Sequence, residues 1–455
     1  MSSVKEMTEG RCLPLILKFT LPVLLGNLLQ QTYSLIDAAI VGRFLGIYAL
    51  AAVGASSSVI FLILGFCNGC CGGFGIPVAQ KFGARDYSLM RRYIHSSVEI
   101  SAVMSVIIAL ITSLSCGDIL RLLATPDNIF EDAYAYLLIT FIGIPFTFFY
   151  NLLSCIIRAM GDSKTPFDFL LLCTVLNIVL DLLFVIVFHW GVAGAAIATV
   201  SAQAVSAVLC LLYMRRKYDI LKSSPEERRF DFSIALNQLA IGTPMGLQFS
   251  ITAIGSMMLQ SANNGLGAEC VAAFTAGMRL KMFFICALES IGVAMATFAG
   301  QNYGAGKPDR IWQGVKAAGL IALIYWCFSM ALLLPGTRYM VLLFVDASET
   351  IVVGDATLFM NISVFFYPML GTLCILRYTI QGVGYTNLAM LSGVSEMIAR
   401  ILISLLVVPV YGYTGVCIGD PTAWIAAVAF LVPAFWYVYR KTNGIERLQS
   451  PTNIH

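Results

Sequence analysis

Asn177 and Asp181 stand four residues apart within Pro166–Trp190, a stretch that is otherwise almost wholly apolar. That spacing puts an amide and a carboxylate on one face of a helix. An ionisable acid inside a membrane span costs roughly 2.5 to 3.5 kcal/mol on insertion scales, so it marks an ion path or a ligand site. A second acid, Asp37, lies in the first apolar run, fifteen residues after Pro22. No Arg or Lys occurs at the depth of either acid in the first half, apart from Arg43 near the surface. Two acids without a basic partner need a cation or a proton. Asp37, Asn177, Asp181 and Thr199 supply hard oxygens suited to Na⁺, and carboxylates held away from water also take up H⁺. Counted from the span ends at about 1.5 Å per residue, Asp37, Asp181, Tyr136 and Thr199 fall within roughly 5 to 12 Å of the outer boundary, where they could meet.

The elements that must position these groups follow from composition. The chain has 455 residues, 59% hydrophobic and 12% charged, with a mean hydropathy of +0.84. That leaves too little polar surface for a soluble globule and predicts an all-α polytopic membrane protein whose partner is the lipid bilayer. About twelve apolar spans run at roughly 14–41, 48–78, 94–116, 133–156, 166–188, 191–214, 235–260, 268–299, 314–336, 353–376, 388–410 and 413–438. The loops alternate in basic content, from Lys81 to Arg92, at Arg158 and Lys164, from Arg215 to Arg229, from Lys307 to Lys316 and at Arg440 onward. By the positive-inside bias, both termini and the central linker lie in the cytoplasm, the chain being placed in the plasma (inner) membrane. The first apolar run is too long for a signal-peptide core and reads as a retained span.

Several functions are disfavoured. A net charge of +3 with no basic run beside exposed aromatics gives no nucleic-acid partner. Cys67, Cys70 and Cys71 form the one cysteine cluster, but no His completes a metal site, and the other ten cysteines read mostly as small core residues. There is no G-x-S-x-G, H-E-x-x-H or complete phosphate-binding loop, so no catalytic residue, resident metal or cofactor is expected and the chain is not read as an enzyme.

The two halves echo one another. Gln301-Asn302-Tyr303-Gly304-Ala305 follows Gln80-Lys81-Phe82-Gly83-Ala84 by 221 residues, and Gly412 and Gly415 follow Gly191 and Gly194 by the same shift. Six spans separate the copies, so they have parallel topology: two six-helix lobes related by a pseudo-two-fold axis along the membrane normal, with a cavity between them. The expected units are an amino-terminal lobe at 1–214, a linker at 215–234, a carboxy-terminal lobe at 235–440 and a tail at 441–455.

The second half carries its own charges: Arg279, Lys281 and Glu289 in span eight, and Glu396 four residues before Arg400 in span eleven. They read either as an ion-pair network or, with Gln30, Gln31 and Gln248, as a substrate cavity. Their excess of basic groups favours anionic or zwitterionic cargo. Pro22, about eight residues into span one, removes a backbone hydrogen bond and permits a hinge.

Pro22 with Asp37, the run Tyr33–Gly46, the Asn177/Asp181 pair and QNYGAGK at Gln301 resemble the multidrug and toxic compound extrusion (MATE) family over nearly the whole chain. The match is closer to its DinF-like branch than to its NorM-like branch, since Thr252 stands where the latter places an acid. The resemblance implies a cation site of Asp37, Tyr136, Asn177, Asp181 and Thr199. It also implies a secondary antiporter that exports organic, amphipathic, often cationic small molecules in exchange for H⁺ or Na⁺ by alternating access. A lipid-linked oligosaccharide or lipid flippase of the same two-lobe architecture is the alternative. Oligomeric state is left open.

Overall fold

Inside a bilayer every backbone N–H and C=O must bond within the protein, and helices do this segment by segment. The computed structural model describes residues 6–123 and 125–449, with side chains as far as Thr442. The ends of the expected amino-terminal lobe and tail, 1–5 and 450–455, lie outside the described residues, as does His455.

The first half consists of α1 (Cys12–Phe44), α2 (Ile47–Gly83), α3 (Tyr87–Leu114), a short α4 (Cys116–Leu122), α5 (Asp127–Ile142), α6 (Ile144–Ala159), α7 (Lys164–Asp181) and α8 (Gly191–Lys217). The second half consists of α9 (Phe232–Asn264), α10 (Ala268–Gly304), α11 (Pro308–Val341), α12 (Thr350–Phe365), α13 (Tyr367–Val383), α14 (Thr386–Leu402), short α15 (Val408–Tyr411) and α16 (Tyr413–Cys417), and α17 (Gly419–Gln449). The interval expected as linker is narrower than 215–234, because α8 continues to Lys217 and α9 begins at Phe232, with only single turns at Asp219–Leu221 and Glu226–Arg228 between them. The expected tail likewise begins inside a helix, since α17 continues to Gln449.

Among the described residues nine helices are long and apolar enough to cross a membrane, or eleven spans if the bent pairs α5/α6 and α12/α13 each count as one. The twelfth expected span, α9, is 33 residues long; its polar side chains, Gln238 and Gln248 among them, leave it outside that set. The two bends, 48° and 52°, sit beside Pro145 and Pro368, which cannot donate to the preceding turn.

The repeat is visible in the backbone. The helix widens to a π-turn at Leu182–Val187 after α7 and again at Ile403–Val407 after α14, starts that differ by 221 residues. Gly46 and Gly267 enter their helices at φ 90° and 109°, and Arg85 and Gly306 leave at 58° and 66°. A non-glycine residue held in the left-handed region at the equivalent place shows that the turn, not the glycine, is what repeats.

Close contacts divide the described chain into one unit of Leu25–Gly246 and another of Glu6–Leu24 with Leu247 onward. This departs from the expected boundaries, and side chains on both units give the reason. In the second unit, Gln301 accepts from the backbone N–H of Met7 at 2.8 Å, Asn302 donates to the carbonyl of Met7 at 3.2 Å, and Lys307 donates to the carbonyl of Thr8 at 3.1 Å. These bonds pin the segment before α1, and Met7, Ile16, Phe19 and Val23 then join the second unit's core. In the first unit Gln238 of α9 donates to Ser97 at 2.6 Å and to the carbonyl of Tyr93 at 2.9 Å. Ala235 accordingly joins the core built from α2, α3, α5 and α6. Both α1 and α9 therefore change unit two residues past a proline, Pro22 and Pro244 respectively.

Candidate functional site

The polar residues of the first unit meet around Asp181, which closes α7 and is fully buried just before the π-turn. A π-turn inserts an extra residue into the helical repeat and re-aims the side chains beside it, which is why such turns accompany functional sites. Asn177, one turn earlier, is 2% exposed. With its amide nitrogen toward Asp181 it donates to Oδ2 at 2.8 Å, while its oxygen accepts from the backbone N–H of Thr199 at 3.1 Å. Only this orientation satisfies both ends of the amide. Thr199 on α8 is held by its own bond to the Ala195 carbonyl, 3.2 Å, and its Oγ1 lies 3.1 Å from the Tyr33 hydroxyl.

Asp37 of α1 faces Asp181, their carboxyl groups within hydrogen-bonding reach. Oδ1 of each is buried without any hydrogen-bond partner, and among the described residues neither acid has an ion-pair partner. Tyr136 of α5 lies near both acids and packs on Val41, Ala49, Val185, Val192 and Ala195. No group of three His, Cys, Asp or Glu among the described residues is arranged for a metal ion. Two facing carboxylates with amide and hydroxyl oxygens beside them are the kind of donor set that one small cation or a shared proton requires.

All five residues expected at this site are brought together, and Tyr33 joins them. Tyr33 lies four residues before Asp37 and so on the same helix face, a signal present in the sequence. Pro22 is half-buried inside α1, which runs unbroken through it.

The residues expected at a substrate cavity separate into three groups. Gln30 is exposed and Gln31 half-buried on α1. Gln248 is buried on α9 and accepts from Gln381 at 2.6 Å. Glu396 and Arg400 are buried in a chain of ion pairs: Arg377 bonds Glu396 and also Ser392 at 2.9 Å, Arg400 reaches Glu396 at 3.3 Å and Asp420 at 2.9 Å, and Asp420 bonds Lys281. In this structure Glu396 and Arg400 thus face protein charges rather than open space, because each buried charge needs a counter-charge more than it needs a ligand. Arg279 and Glu289, both on α10, are the exposed charged members of the set. Arg377 and Asp420 complete the network without having been singled out in the sequence; Asp420 lies 221 residues after Thr199, so the repeat itself points to it.

The MatE family model matches residues 22–183 and 244–406. The chain is 31% identical over 379 residues to the probable multidrug resistance protein YpnP of Bacillus subtilis (strain 168), covering 83% of this chain and 84% of that one. It is 24% identical over 432 residues to DNA damage-inducible protein F of Escherichia coli (strain K12), covering 90% and 88%. The fold superimposes with a TM-score of 0.89 at 22% identity, over 96% of this chain and 98% of the other, on an outward-facing multidrug resistance MATE family transporter of the MOP superfamily.

Proposed function

The chain belongs to the MATE family of membrane transporters, and from that premise we propose that it is a secondary antiporter of the plasma membrane, both termini cytoplasmic. It exports organic amphiphiles in exchange for H⁺ or Na⁺ by alternating access. One observation carries the reading: Asp37 and Asp181 face each other, each with a buried oxygen that no protein group satisfies. Leaving two acids in that state without a counter-charge is costly, so the arrangement makes sense only if a cation or proton arrives and departs. The ion enters from outside, docks between Asp37 and Asp181 against Asn177, Thr199, Tyr136 and Tyr33, and weakens cargo binding. Reciprocity requires cargo to weaken the ion by the same factor.

The flippase alternative draws on the basic groups of the second half. Lys281, Arg377 and Arg400 are committed to Glu396 and Asp420, which removes most of that support.

Proteoliposomes with an imposed Na⁺ or H⁺ gradient test the proposal. Gradient-driven dye efflux is expected from the wild type and lost in Asp37→Asn and Asp181→Asn. Full gradient-dependent efflux in either variant overturns it.

A further inference from the structure

On the helices of the second unit, exposure and side-chain chemistry normally go together as they do in lipid. Along the middle of α11 the exposed large side chains are all apolar, Leu320, Leu323, Ile324, Phe328, Leu332 and Leu334, and its exposed Gln313, Lys316 and Arg338 lie toward its ends. α10 is different. It packs against α11, α12 and α13, and its only exposed residues are Ala268, Glu269, Ala272, Thr275, Arg279 and Glu289. From Ala268 through Ala272, Thr275 and Arg279 the spacing is four, three and four residues, a single stripe. It continues through half-buried Met282 to Glu289.

The stripe opens at the start of α10, but its two deep charges, Arg279 and Glu289, suit water and solutes, not acyl chains. Arg279 lies eleven residues into a 37-residue helix, too deep for its side chain to reach a headgroup layer easily, and it has no ion-pair partner among the described residues. The neighbouring cations Lys281, Arg377 and Arg400 are all neutralised, so among the described residues of this region Arg279 is the cation left without an ion pair. The equivalent helix of the first unit, α2, places exposed Ser58 and Asn68 where α10 has Arg279 and Glu289, each 221 residues earlier. The charge is therefore a property of α10 and not of the repeated scaffold.

We infer that Arg279 recognises an oxyanion, a carboxylate, sulfonate or phosphate, on the transported amphiphile, and that Glu289 takes a basic group on the same molecule. A guanidinium binds such planar or tetrahedral oxyanions by paired, charge-assisted hydrogen bonds, which a cationic amphiphile cannot supply. Glu289 lies ten residues further along, about 15 Å along the axis, so one elongated zwitterion engages both. This rests on the proposed export function for its cargo, but not on the coupling ion.

A matched pair of probes separates the two ideas: a rhodamine with a free carboxylate and its methyl ester, which keeps the cationic ring system but loses the anion. Binding is measured by fluorescence anisotropy on the purified protein without any gradient. The wild type is expected to prefer the acid, Arg279→Gln to lower the acid-to-ester affinity ratio about tenfold, and Arg279→Lys to keep much of it. An ester bound as tightly as the acid by the wild type, or a ratio unchanged in Arg279→Gln, overturns the inference. So does a preference that disappears when phosphatidylglycerol is left out of the preparation, which would assign Arg279 to a lipid headgroup. Lost gradient-driven efflux with the binding preference intact would instead count against antiport alone.

Discussion

Thr199 and Asp420 hold the same place in the two repeats, each eight residues after a glycine of positive φ, Gly191 at 62° and Gly412 at 57°. The Thr199 hydroxyl meets Tyr33 and Asn177 beside two unpaired acids. The Asp420 carboxylate is clamped by Lys281 and Arg400. One scaffold thus holds negative charge open in the first unit and closes it with cations in the second. On the antiport proposal, it is the first that loads and releases a positive ion.

Tyr33 and Thr199 stand beside the two acids without carrying charge, and in the proposed ion site they would supply hydroxyl oxygens. Tyr33→Phe removes the 3.1 Å contact and is expected to raise the ion concentration giving half-maximal efflux by about 2- to 10-fold, the range of one net hydrogen bond. Initial rates of dye efflux against external Na⁺ or pH would show it. An unchanged half-maximal concentration would remove Tyr33 from the site.

Asp420→Asn leaves Lys281 and Arg400 short of counter-charge in a buried place and is expected to cost about 3 to 5 kcal/mol of stability. The double change Lys281→Met with Asp420→Leu should recover part of that loss, because it removes charge of both signs together. Thermal and denaturant unfolding in detergent distinguish the two. Equal losses in both variants would mean that packing, not charge balance, is what the network supplies.

The segment between α8 and α9 is tied down by Glu227, which accepts from Arg91 at 2.8 and 2.6 Å. The Arg91 guanidinium holds the Glu227 carboxyl from an ordinary 4.5 down to about 2. A depressed value means that the tie is at full strength above pH 4.5 and is lost as pH falls through about 2. Pepsin should therefore cut residues 218–231 slowly at pH 4 and much faster near pH 2. At neutral pH, Arg91→Gln should speed thermolysin cleavage of that segment several-fold. Equal cleavage of wild type and variant at neutral pH would count against the tie.

Gly73 of α2 has the backbone of Gly242 of α9 where its side chain would be, whereas Gly54 has open space. Gly73→Ala is expected to destabilise by about 1 to 3 kcal/mol, since neighbouring backbone cannot move aside as a side-chain tip can. Gly54→Ala should be near neutral. Unfolding midpoints of the two variants in one detergent provide the comparison, and a near-neutral Gly73→Ala would show that the two helices part readily.

The sequence by itself determined the class, the helical spans, the repeat and the grouping of Asn177 with Asp181. Apolar length, loop charge and a 221-residue period survive in any fold these spans can form. An Asp and an Asn four residues apart must share a helix face, so Asn177 and Asp181 were legible without coordinates. The tertiary structure decided where each helix's allegiance lies, because the bonds of Met7 to Gln301 and Asn302 join residues almost 300 apart. It also decided which charges of the second half are spent. Arg279 and Arg400 look alike as basic residues in apolar runs; Arg400 has Glu396 one turn away on α14 and gains Asp420 by the packing of α14 against α17, whereas Arg279 has no ion-pair partner among the described residues.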